Sequence, residues 1–151
     1  MKFLLLLTFF SSLVNASSIK QLCGQMNGTF YEKYTCPKSK LRLRVDTCEV
    51  KNDREEVLFF NGCSGPAGGF KDIFTQPCIN HDHCYHHEPA TTGYTQKDCD
   101  IKLRDEMLMA CSQLPPDQNH KKCEKWANIM YRALRIVGGI AFQCDNSYAH
   151  Y

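Results

Sequence analysis

The sequence predicts a mainly α, disulfide-rich domain with a short β element near its N-terminus. Three observations carry that prediction. Apolar residues recur at helical spacing in stretches between residues 75 and 138. One alternating stretch and one short apolar run precede them, between residues 38 and 60. Ten cysteines all lie beyond the first 16 residues. An even count in a small chain argues for five disulfides rather than zinc ligation or free thiols.

The chain has 151 residues, enough for one domain. It opens with Met1 and Lys2, then an apolar run from Phe3 to Phe10, then small residues ending at Ala16. That order reads as a secretory signal peptide over 1–16, too short for a membrane span. The expected location is therefore secreted and extracellular. The remaining segment, 17–151, reads as a single domain. Its parts are a cysteine-containing extension (17–60), a loop with two helices (61–114), and a C-terminal helix and tail (115–151). The whole chain carries 18 basic and 16 acidic residues. A net charge this close to zero gives little support to nucleic-acid binding. Asn27-Gly28-Thr29 is a glycosylation sequon on a turn-like tripeptide.

Residues 38 to 45 alternate between Lys or Arg and Ser39, Leu41, Leu43 or Val45. Period two predicts a strand with one basic, solvated face. Charge on that face protects an edge strand from pairing, and this is preferred over contact with an anionic lipid surface. Glu56 to Phe60 is a second expected strand. Asn61 to Phe70 is a loop holding Gly62, Gly65, Gly68 and Gly69, which lets the backbone turn and aim polar groups inward. It lacks the lysine of a nucleotide-phosphate loop.

The first of the long helices is expected to start near Thr75 as cap, with Pro77 in its first turn, and to end near His87, before Pro89. Thr95 to Asp98 resembles a capping box opening the next helix. Cys99, Leu103, Met107, Ala110 and Leu114 follow at helical spacing, and Pro115-Pro116 ends it. A third helix follows Asp117. Trp126, Ile129, Met130, Ala133 and Val137 form its expected apolar stripe, stopped by Gly138-Gly139. Trp126 and the methionines read as core.

The chemistry concentrates in Cys78-Ile79-Asn80-His81-Asp82-His83-Cys84-Tyr85. On a helix, Cys78, His81, Asp82 and Tyr85 share a face. A Cys84–Cys99 bond would bring Asp100 beside His81 and Tyr85. A Cys63–Cys78 bond would pin the glycine loop near Asp82, and a Cys111–Cys123 bond would close the Pro115-Pro116 turn. Sequence alone does not select the connectivity, and Cys23, Cys36, Cys48 and Cys144 keep three possible pairings. In such an assembly His81 is a base near neutral pH. Asp100 orients it, and Tyr85 holds Asp100. Asp82 with loop oxygens suits a hard cation such as calcium. A zinc cluster of His81, His83, His86 and His87 fits poorly with so many oxygen donors nearby.

Cys78-x-x-His81-Asp82-x-Cys84-Tyr85, preceded by Gly62-Cys63-x-Gly65 and followed by Cys99-Asp100, resembles the secreted phospholipase A2 family. The resemblance covers about residues 59 to 114 and is nearest to the short bacterial, fungal and conodipine-like branch. It implies a phospholipase A2-like fold with two antiparallel catalytic helices. It implies calcium-dependent hydrolysis of the sn-2 ester of phospholipids in membranes or micelles. By that resemblance His81, Asp100 and Tyr85 serve catalysis, and Asp82, Asn61, Gly62 and Gly65 serve calcium. The chain departs from the family at three places. Pro77 and Glu106 stand where the venom and pancreatic enzymes have a cysteine pair, and Asn61 stands where the short branch has an acidic side chain. The return to Asp100 is too short for the family's β-hairpin. The competing expectation is a non-catalytic member of the fold, acting as a toxin or receptor-binding protein.

Overall fold

A computed structural model describes residues 18–35, 44–86 and 92–142. The expected signal peptide, Cys36, Lys38 to Leu43, His87, Pro89 and Cys144 lie outside the described residues. The described chain is mainly helical, with one three-stranded antiparallel sheet and four disulfides. Among the described residues no helix is long and apolar enough to cross a membrane.

The N-terminal part packs a short helix on the sheet. Helix α1 (Ile19–Gln25) starts at Ser18, whose hydroxyl accepts the N–H of Gln21 at 3.2 Å. Its seven residues were not legible as a helix. Strands β1 (Thr29–Thr35), β2 (Arg44–Lys51) and β3 (Val57–Phe60) form the sheet in that order. The β2–β3 turn is held by Asn52, whose Oδ1 accepts the N–H groups of Arg54 and Glu56. Cys23–Cys48 ties α1 to β2, resolving part of the open pairing. Arg44 and Val45, the described end of the alternating stretch, begin β2, which is the middle strand of the sheet; they pair with β1, whereas β3 pairs with Cys48 to Lys51. The middle of β2 is sandwiched because Cys48 to Lys51 pair with β3 while Thr29 to Tyr31 cover the other side.

Helix α2 (Lys71–His86) is the hub. It begins four residues before the expected cap. Thr75 does not cap it: its hydroxyl bonds back to the Lys71 carbonyl at 2.9 Å. Pro77 therefore lies inside the helix, with its ring buried. Phe74 and Cys78 face a core shared with Leu103, Met107, Ala127 and Met130. Ile79 faces the other way, into a second core with Val50 and Phe60 of the sheet.

Helix α3 (Gln96–Ser112) has the expected capping box: Thr95 and Asp98 satisfy one another's backbone N–H groups. Helix α4 (His120–Val137) starts from Asn119, whose side chain accepts the Lys122 N–H. Its buried positions are Cys123, Ala127 and Met130, with Leu134 packed beside them. Ala133 and Val137 of the expected stripe are exposed. The stripe is rotated because Cys111–Cys123 sets which side of α4 meets α3. Trp126 packs against the core as expected, and Met107 and Met130 are buried, whereas Met109 is 62 % exposed. A single 3₁₀ turn, Gly138–Ile140, follows α4.

Candidate functional site

Three contacts bring α2 and α3 together antiparallel. Cys84 is bonded to Cys99, His81 meets Asp100, and Asn80 meets Glu106. Position rises along α3 as it falls along α2, which defines the direction. Each disulfide contributes about 2–4 kcal/mol by restricting the unfolded chain, and Cys84–Cys99 also sets the register that places the polar groups.

Asp100 is fully buried and is the centre of that polar group. Its Oδ1 lies 2.9 Å from His81 Nε2 and accepts the Tyr85 hydroxyl at 2.6 Å. Its Oδ2 accepts Arg135 Nη1 at 2.7 Å, with Gln96 Nε2 at 3.5 Å. Burial pushes Asp100 upward, but the bonds from His81, Tyr85 and Arg135 outweigh it and hold the carboxyl below its ordinary value. An ionised carboxylate only accepts, so His81 Nε2 donates to it. That leaves Nδ1 with the lone pair. Burial, then the bond to Asp100, push the Tyr85 phenol upward, keeping it a donor. The His81 and Tyr85 rings lie with centroids 4.0 Å apart.

Asp82 is buried beside this group and points at the glycine loop. Its Oδ2 accepts the backbone N–H groups of Asn61 and Gly62, each at 2.7 Å. Gly62 makes that possible: its φ is +71°, and a Cβ there would strike Ile19. Burial raises the Asp82 carboxyl to about 7, against the pull of those two N–H donors. Cys63–Cys78 anchors the loop to α2, as expected. Gly68, at φ +61°, lies where a Cβ would run into the Trp126 indole.

The structure thus brings together His81, Tyr85 and Asp100, and separately Asp82, Asn61 and Gly62. Gly65 lies exposed in the same loop, with open space around it. Asn61 Oδ1 accepts the Ser64 hydroxyl at 2.7 Å. Among the described residues no three His, Cys, Asp or Glu side chains cluster as a metal-binding group. Any cation at Asp82 would therefore need backbone oxygens or water to complete its shell.

Sequence reasoning missed Arg135 and Gln96. Arg135 arrives from a helix 35 residues further along. Gln96 stands one turn before Asp100 and also donates to the Leu134 carbonyl at 3.1 Å. The position of Gln96 four residues before Asp100 was a readable signal; Arg135 had none. No family model, curated protein or solved structure matches this chain.

Proposed function

We propose that the protein is a secreted, calcium-dependent phospholipase A2 that hydrolyses the sn-2 ester of glycerophospholipids. The observation that carries the reading is the convergence of His81, Tyr85 and Asp100 across two helices stapled by Cys84–Cys99. A base oriented by a buried carboxylate is the arrangement for activating water. The same residues carry the resemblance to the secreted phospholipase A2 family. Four disulfides fit an oxidising, extracellular setting.

Calcium would sit at Asp82. Asp82 is a desolvated carboxylate raised to about 7 by burial, the behaviour of an anion without a countercharge. The loop groups that meet Asp82 are the N–H donors of Asn61 and Gly62, so a hard cation would have to exchange those contacts for loop carbonyl oxygens or water. Asp82, with oxygens of Asn61, Gly62 and Gly65, would hold the ion. When bound, calcium supplies Lewis-acid polarisation of the ester carbonyl.

The remaining work belongs to the chain itself. Cys78 and Cys84 are bridged and unavailable as nucleophiles, so water attacks the ester carbon. His81 Nδ1 takes the water proton, and Asp100 stabilises the imidazolium through Nε2–H. Tyr85 keeps Asp100 in place. As the ester C–O bond breaks, His81 returns the proton to the leaving glycerol oxygen. The products are a lysophospholipid and a free fatty acid. A positioned base contributes about 10²- to 10⁴-fold in rate.

The test is fatty-acid release from position-labelled phospholipid, with calcium and with chelator. Calcium-dependent release from the sn-2 position is expected, and His81→Gln should nearly abolish it while the fold persists. No release by correctly bridged protein would replace this reading with a non-catalytic binding protein. Release that survives the chelator or the His81 change would mean a different mechanism.

A further inference from the structure

The two oxygens of Asp100 face different helices. Oδ1 serves His81 and Tyr85, while Oδ2 serves a guanidinium from α4. Arg135 is 35 % exposed, yet the carboxylate that it reaches is 0 % exposed. The last turn of α4 meets the base's support at two further places. Gln96 is anchored on the Leu134 carbonyl at 3.1 Å. Gly138 packs so closely on the Tyr85 hydroxyl that a Cβ would lie 2.5 Å from it.

We propose that Arg135 is a positioning residue for His81, acting through Asp100, so that the C-terminal turn of α4 is part of the active site's scaffold. The inference rests on the hydrolase reading. A carboxylate held at one oxygen can still turn about its Cβ–Cγ bond. With Arg135 on Oδ2, that rotation stops, and Oδ1 stays aimed at both the imidazole N–H and the phenol. Removing Arg135 leaves Oδ2 with Gln96 alone, at the 3.5 Å limit of a hydrogen bond. A buried acceptor left so poorly satisfied is costly. The carboxylate then reorients or recruits water, and the imidazole loses its fixed orientation. The fork of a guanidinium suits this task better than the point charge of an ammonium.

Arg135→Met, Arg135→Lys and Arg135→Ala test the assignment on a soluble short-chain phospholipid. Arg135→Met should lower kcat by about 10- to 100-fold, the scale of a roughly 1 Å misplacement, with little change in KM. Arg135→Lys should recover part of the loss. Because Arg135 borders solvent, ethylguanidinium should restore turnover to Arg135→Ala saturably, and neutral ethylurea should not. A second readout is independent of turnover: the ¹⁵N spectrum of the His81 ring. The wild-type protein should show the Nε2–H tautomer, and Arg135→Met should show a mixture or a displaced N–H signal. Unchanged kcat together with an unchanged ring spectrum would overturn the proposal. So would a loss that neither lysine nor ethylguanidinium relieves, since that would be a merely structural defect. If Arg135→Met does not fold, the lysine variant and the ethylguanidinium rescue decide. If wild-type protein releases no fatty acid, the hydrolase reading falls, and the ring spectrum alone decides the positioning role.

Discussion

Asn80 on α2 donates from Nδ2 to Glu106 Oε2 on α3, at 2.8 Å. This bond bridges the two helices one turn from Cys84 on α2 and two turns from Cys99 on α3, close to Pro77 in the chain. By the family resemblance, Pro77 and Glu106 hold the places of a cysteine pair. Asn80→Ala should therefore destabilise the protein by about 1 kcal/mol, measured by denaturant unfolding. Pro77→Cys combined with Glu106→Cys should form a new disulfide spontaneously, seen by non-reducing peptide mapping. Two free thiols in the folded double variant would remove that part of the resemblance.

Asp100 predicts the acid limit of stability. Its folded value lies below its ordinary value, because the His81, Tyr85 and Arg135 bonds overcome burial. A carboxyl lowered on folding stabilises above its unfolded value of about 4. That stability is lost as pH falls through the lower folded value. Unfolding free energy should drop as pH falls below about 4. Asp100→Asn should be less stable at pH 6 and should lose less on acidification. Parallel curves for the two proteins would assign acid unfolding to other groups.

Asp82 has the opposite sign. Its folded value is raised to about 7 by burial, so without metal its contribution is full below about pH 4 and is lost as pH rises through 7. At pH 8 in chelator, Asp82→Asn should melt higher than wild type, by roughly 2–4 °C per kcal/mol recovered. Calcium should reverse the order by raising the wild-type Tm alone. An equal calcium response in both proteins would rule Asp82 out as the ligand.

Gly138 and its neighbour form a matched pair of tests. Gly138→Ala places a methyl 2.5 Å from the Tyr85 hydroxyl, whereas a Cβ on Gly139 meets only Gln96, at 3.4 Å. The first change should cost about 1–3 kcal/mol by overpacking and reduce turnover by displacing Tyr85 from Asp100. The second should be mild in both assays. Thermal melts and initial rates on the two variants check this directly.

The site was largely legible because its residues lie close in sequence and two cysteines bracket them. His81, Asp82 and Tyr85 fall on one helical face, and Asp100 adjoins the cysteine that returns to Cys84. The α3 cap was legible for the same reason, since Thr95 and Asp98 are three residues apart. What failed depended on tertiary packing. Pro77 looked like a first-turn residue, but the packing of Phe74 and Cys78 carries α2 back to Lys71. The face of α4 was misplaced because the Cys111–Cys123 bond selects Cys123, Ala127 and Met130, although Ala133 and Val137 fit a helical period equally well. Arg135 was illegible as a site residue, because on its own helix it is one more basic residue near the C-terminus.

The four described disulfides are Cys23–Cys48, Cys63–Cys78, Cys84–Cys99 and Cys111–Cys123. None encloses or crosses another. Each joins a cysteine to one no more than 25 positions downstream. In a chain threaded N-terminus first into an oxidising compartment, each of these bonds has both its sulfurs delivered before the next begins. Short loops also close at small entropic cost. Oxidation can then follow the order of emergence for the last three bonds, whereas Cys36 emerges between Cys23 and Cys48 and competes for the first. In such a chain the polar group at Asp100 would be completed late, because Arg135 is delivered by α4, the last of the long helices.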